Sequence, residues 1–123
     1  MLLDDLYQIK TWNAEEGSIE AELAINAEHS IFEGHFPENP VLPGACQVEM
    51  VGELLGKNYG QNFRLDKAQN IKFLSVVDPT KSKLLNFSLQ VKEDGKNKVV
   101  KAIGKLESGE VCIKFSGIFS EAI

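Results

Sequence analysis

The sequence predicts an α+β fold in which one long central helix is wrapped by a curved antiparallel β-sheet. Three observations carry the prediction. Several segments alternate apolar and polar residues with period two, one apolar stretch repeats with helical spacing, and short glycine turns join the later strands. Ser18–Ile25 alternates cleanly, with Ile19, Ala21, Leu23 and Ile25 on one side and Glu20, Glu22 and Ala24 on the other. Leu3 to Trp12 is a weaker strand, and "NAEEGS" is its turn into the next one.

Pro43 to Tyr59 reads as the helix. Proline suits a first helical turn because its missing N–H has no partner there in any case. Ala45, Val48, Gly52, Leu55 and Tyr59 step by three and four and so share a face. Cys46, Met50, Val51 and Leu54 add apolar surface elsewhere, which predicts a helix enclosed by other structure.

Four strands are expected after it. The first is Asn70 to Val77. The second sets Leu85, Phe87, Leu89 and Val91 against polar neighbours. The third does the same with Val100, Ala102, Gly104 and Leu106, and the fourth with Val111, Ile113, Phe115, Gly117 and Phe119. Asp94-Gly95 and Ser108-Gly109 supply tight turns, and turns that short imply antiparallel neighbours.

The 123 residues are expected to form a single domain over 1–123, with no linker or repeat. A net charge of −5 without a Lys/Arg cluster argues against a nucleic-acid surface. No apolar run approaches the roughly 20 residues needed to span a bilayer. Cys46 and Cys112 form no CxxC pair, which argues against a metal site, and the reading has them as free thiols of a cytoplasmic protein. The N-terminus, "MLLDDLYQIK", lacks the apolar core of a signal peptide.

The stretch that carries chemistry is "GHFPENPVLPG", Gly34 to Gly44, with three of the four prolines. Pro37, Pro40 and Pro43 stiffen the loop around His35. Gly44 falls in the first helical turn, where free N–H groups and the helix dipole favour an oxyanion or a polarised carbonyl. Glu49 lies one and a half turns further on, at the border of the apolar face, where a carboxyl is expected to hold its proton more tightly. An imidazole base, a carboxyl acid and a carbonyl-binding N–H suit elimination of water from a β-hydroxyacyl compound, or its reverse.

"HSIFEGHFPENPVLPGACQVEMV" closely resembles the active-site segment of the bacterial 3-hydroxyacyl-[acyl-carrier-protein] dehydratases, which have the hotdog fold. Their pattern is Gly-His-Phe-Pro, two residues, Pro, two residues, Pro-Gly, then four residues to a Glu or Asp. His35, Phe36, Pro37, Pro40, Pro43, Gly44 and Glu49 fall in place, and the resemblance is strong over about Ile25 to Val51. It implies that His35 takes the C2 proton and that Glu49 helps the C3 hydroxyl leave. It further implies that the Gly44 N–H holds the thioester carbonyl and that the Val41 carbonyl fixes the imidazole tautomer. Phe36 and Pro43 complete the expected substrate-binding set. The resemblance implies no cofactor, a substrate carried on the phosphopantetheine of acyl carrier protein, and a homodimer or higher oligomer whose sheets join edge to edge and whose sites draw side chains from two subunits.

Three departures stand out. The family's His-Arg-x-Pro-Phe-Leu segment is replaced by a short "MLLDDLYQI". Glu53 stands one turn after Glu49, where the family shows small residues and then Gln. The polar Ala45-Cys46-Gln47 start hints at a polyene or polyketide-like acyl group instead of an ordinary saturated chain. Two other functions compete: a hotdog acyl thioesterase, and a non-catalytic acyl-binding partner subunit. His29 is expected to be an ordinary loop residue, Cys46 a small buried hydrophobe, Trp12 and Tyr59 packing residues, and the strand lysines a solvated face.

Overall fold

Six antiparallel strands and one helix build the chain, in a computed structural model that describes residues 1–33 and 40–122. In chain order they are β1 (Tyr7–Glu15), β2 (Ser18–Ile25), α1 (Gly44–Tyr59), β3 (Phe63–Phe73), β4 (Leu84–Asp94), β5 (Asn97–Leu106) and β6 (Val111–Glu121). A single 3-10 turn, Ser30–Phe32, precedes the motif loop. The sheet order is β1-β2-β4-β5-β6-β3. The chain therefore leaves β2, runs through the helix, and returns at the far edge of the sheet.

Alternation decides which face of the sheet meets the helix. Ile19, Ala21, Leu23 and Ile25 of β2 are buried, as are Leu85, Phe87, Leu89 and Val91 of β4, Val100 and Ala102 of β5, and Ile113, Phe115 and Phe119 of β6. Their partners on the other face remain exposed or half-buried, as period-two strands require. Gly104 stands opposite Phe87 in the register, and a Cβ there would collide with that ring and with Ile113. The glycine is what lets the Phe87 ring lie flat across the neighbouring strand. Gly17, Gly95 and Gly109 take positive φ at the three hairpin turns.

Several details differ from the sequence expectation. The strand expected at Leu3–Trp12 spans Tyr7–Glu15, so "NAE" belongs to the strand and only Glu16-Gly17 make the turn. The helix buries Cys46, Gln47, Met50, Val51, Leu54 and Leu55, whereas Ala45 is exposed and Val48, Gly52 and Tyr59 are only half-buried. Two apolar stripes run along this helix, and the one with the bulkier side chains faces the sheet. Pro43 is the N-cap, one position before the first helical residue.

The strand expected at Asn70–Val77 instead spans Phe63–Phe73. Its first half, "FRLDKAQ", lies on an edge with both faces largely exposed, so no alternation was needed there. Its expected end leaves the sheet because the Val77 carbonyl accepts from Leu42 N at 2.8 Å and so ties to the helix lead-in. Asp78 then starts a turn by accepting from Thr80 N and Thr80 Oγ1. Those bonds hold the Asp78 carboxyl below its ordinary range.

Candidate active site

The motif loop reaches the helix through Leu42, which is fixed at both ends of its peptide. Its N–H donates to Val77 and its carbonyl accepts from Gln47 Nε2 at 3.4 Å. The Pro43 carbonyl accepts from Cys46 N and Gln47 N, which closes the first turn. No acceptor for the Gly44 N–H is found among the described residues, as expected at a helix start. A Cβ on Gly44 would sit 2.5 Å from the Phe73 ring, so the missing side chain is also what lets that ring lie against the helix start.

Val41, Gly44 and Gln47 line one groove of about 310 Å³ with Phe73, Leu74 and Val76. Gln47 is buried, and its Oε1 has no hydrogen-bond partner among the described residues. Pro43 is half-buried beside this groove. Glu49 lies elsewhere. Five residues of helix turn it about 140° from Gly44, and it lines a second groove of about 660 Å³ with Leu3, Gly52, Glu53, Gly56 and Lys57. Its side chain is exposed, so the described residues do not supply the apolar enclosure expected around the carboxyl. His35 and Phe36 lie outside the described residues. One chain thus brings Val41, Pro43 and Gly44 together and turns Glu49 to the other side of the helix.

Glu53 is committed to the protein itself. Its Oε2 accepts from Leu2 N at 2.8 Å, and its Oε1 accepts from Leu3 N and from Tyr7 Oη, each at 2.9 Å. Burial first, then the Glu53 charge and hydrogen bond, push the Tyr7 phenol far above its ordinary range. It therefore stays protonated and donates. Sequence reasoning placed Glu53 beside Glu49 but missed these donors. Two of them are backbone N–H groups some fifty residues away, which no pattern of side chains announces.

His29 also does more than an ordinary loop residue. Its Nδ1 accepts from Ile31 N at 3.0 Å, which leaves the proton on Nε2 to face Asp5 Oδ2 at 3.0 Å. It caps the turn that leads into the motif loop and ties that turn to the N-terminal segment. Lys98 departs from a solvated face. It is buried between Tyr59, at 4.8 Å from the ring centroid, and Glu93 Oε1 at 3.0 Å. Cys46 and Cys112 are free and buried, and burial pushes the Cys112 thiol up to about 11. No group of side chains able to hold a metal occurs among the described residues. No described helix is long and apolar enough to cross a membrane.

The family described as ApeI-like, ApeI dehydratase, matches residues 11–112. A 3-hydroxyacyl-[acyl-carrier-protein] dehydratase FabZ of Lactobacillus helveticus is 31% identical over 73% of this chain, which spans 64% of that relative's length. The FabZ of Chlamydia caviae is 24% identical over 94% of this chain and 82% of its own. Among solved structures, the dehydratase heterocomplex ApeI:P from Xenorhabdus doucetiae superposes with a TM-score of 0.78 at 16% identity, covering 92% of this chain and 96% of the other. A hypothetical thioesterase with coenzyme A from Streptococcus pneumoniae superposes at 0.67 with 12% identity, covering 94% and 85%. These likenesses establish the hotdog fold.

Proposed function

Since the chain belongs to the ApeI-like dehydratase family, we propose that it dehydrates a (3R)-3-hydroxyacyl thioester carried by acyl carrier protein to the trans-2-enoyl thioester. The observation that carries this reading is the presence of both His35 and Glu49 at the family's spacing, inside the matched region. In the proposed step His35 takes a C2 proton while the Gly44 N–H polarises the thioester carbonyl. The C2–H electron pair becomes the new double bond, the C3–O bond breaks, and Glu49 delivers a proton so that the hydroxyl leaves as water. The imidazolium then returns its proton, through solvent, to the carboxylate.

The geometry of one chain supports a two-chain site. Gly44 and Glu49 face different grooves, and the described residues leave Glu49 exposed. β3 is an eleven-residue edge strand, and Leu65, Phe73, Leu74 and Val76 on and after it are exposed. A long edge strand that ends in exposed apolar side chains calls for a partner. We propose that β3 pairs with a second copy and that each Gly44 groove then meets the other copy's Glu49. Phe73→Asp should convert the dimer to monomer by light scattering and lose activity with it. A monomeric wild type would refute this arrangement.

The deciding experiment incubates the protein with 3-hydroxyacyl carrier proteins bearing saturated and polyene-type chains and follows the acyl mass. Loss of water in the wild type but not in His35→Ala is the expected result. Free acid without water loss would instead mark a thioesterase, and binding without either product an acyl-binding subunit.

A further inference from the structure

The groove that holds Glu49 is walled on one side by Met1 and Leu3, and its floor follows α1 past Gly52 and Gly56. From Glu49 to Gly60 it runs along about 16 Å of helix. The wall is not an independent element. Residues 2–7 fold into a tight loop in which Asp5 N and Leu6 N donate to the Leu2 carbonyl and Asp4 N donates to the Tyr7 carbonyl. Asp4 holds a φ of 69°, the left-handed region that favours glycine. Such a loop needs an outside anchor, and Glu53 is the side chain of α1 that grips it, through both oxygens and three donors. Glu53 itself lines the groove, and its carboxylate oxygens are engaged by the loop.

We propose that Glu53 is a positioning residue that fixes Met1–Leu3 as one wall of the acyl-chain groove, and so sets how strongly the site prefers long chains to short ones. The proposal rests on Glu49 marking the reacting end of the chain. A carboxylate is needed because two backbone N–H groups converge on it. The amide of Glu53→Gln offers one oxygen, and its NH2 group would face a donor.

The test uses Glu53→Gln, nearly isosteric, and Tyr7→Phe, which removes one donor and leaves the two backbone bonds. Amide exchange at Leu2 and Leu3 reads the grip without any ligand. Calorimetry with S-butyl- and S-dodecyl-pantetheine, thioethers that neither dehydrate nor hydrolyse, reads the wall. Exchange at least tenfold faster in Glu53→Gln is expected, with a dodecyl-to-butyl affinity ratio at least fivefold lower. Smaller shifts in the same direction are expected for Tyr7→Phe, which decides the matter should Glu53→Gln not fold. Unchanged exchange would overturn the proposal. So would an affinity ratio within twofold of wild type despite faster exchange, or no dodecyl preference in the wild type. Failure of the wild type to dehydrate any 3-hydroxyacyl carrier protein would sink the dehydratase reading and leave these binding measurements intact, so the two failures are distinguishable.

Discussion

Glu49 and Glu53 stand one turn apart on the same helix and carry the same functional group, yet their surroundings have little in common. Glu49 is exposed and makes no hydrogen bond among the described residues, while Glu53 accepts three from the N-terminal segment. What separates the two carboxyls is the supply of donors and not the position on the helix. A carboxylate held by three fixed N–H and O–H donors has most of its acceptor capacity spent and its orientation set, whereas an uncommitted one is free to meet a substrate proton.

The comparison breaks most visibly at activity. Glu49→Gln should lower the dehydration rate by at least about 100-fold, the usual contribution of a general acid. Its unfolding midpoint should match the wild type, because no hydrogen bond is lost. An equal loss of stability would mean that Glu49 is structural after all.

Glu53→Gln should do the reverse and destabilise the fold by about 1–3 kcal/mol, the cost of leaving a partly buried donor unpaired. Urea unfolding reads it directly. A stability equal to wild type would remove the distinction between the two residues.

Tyr7→Phe should cost about 1 kcal/mol, one neutral-to-charged hydrogen bond less the apolar gain. It also carries a pH signature. The folded phenol holds its proton to higher pH than an unfolded tyrosine, so the unfolded state releases a proton first and stability falls as pH rises above about 10. The variant should flatten that alkaline limb. A wild type with no such limb would show that the phenol is neither buried nor held by Glu53 in this way.

Much of the scaffold was legible in the sequence because burial acts on it one residue at a time. In β2, β4, β5 and β6 most of the alternating apolar residues are the buried ones, with Cys112 and Lys98 buried and Ile103 exposed as exceptions. The first half of β3 was illegible for the opposite reason. An edge with two exposed faces imposes no pattern, so Asp66, Lys67 and Gln69 are tolerated in a strand. Which of the helix's apolar residues are buried was not legible, because Ala45 and Val48 repeat at helical spacing as Met50 and Leu54 do, and spacing does not weigh side-chain volume. The motif picks out Glu49 and Gly44 as candidates, but their placement in different grooves follows from helical geometry. The roles of Glu53 and His29 rest on backbone donors, which are the same at every position of every sequence and so leave no trace in it.

The route of the chain from β2 through the helix to β3 also sets an order of events during synthesis. β3 leaves the ribosome before β4, β5 and β6, yet its only neighbour in the sheet is β6, with Phe63 opposite Glu121. This long edge strand must therefore wait, unpaired on both sides, while three more strands are made. Pairing of such distant segments is slow, and an exposed edge of this kind is where nascent chains aggregate. The charged first half of β3, Arg64 to Lys67, then acts as a guard during the interval in which the strand has nowhere to dock.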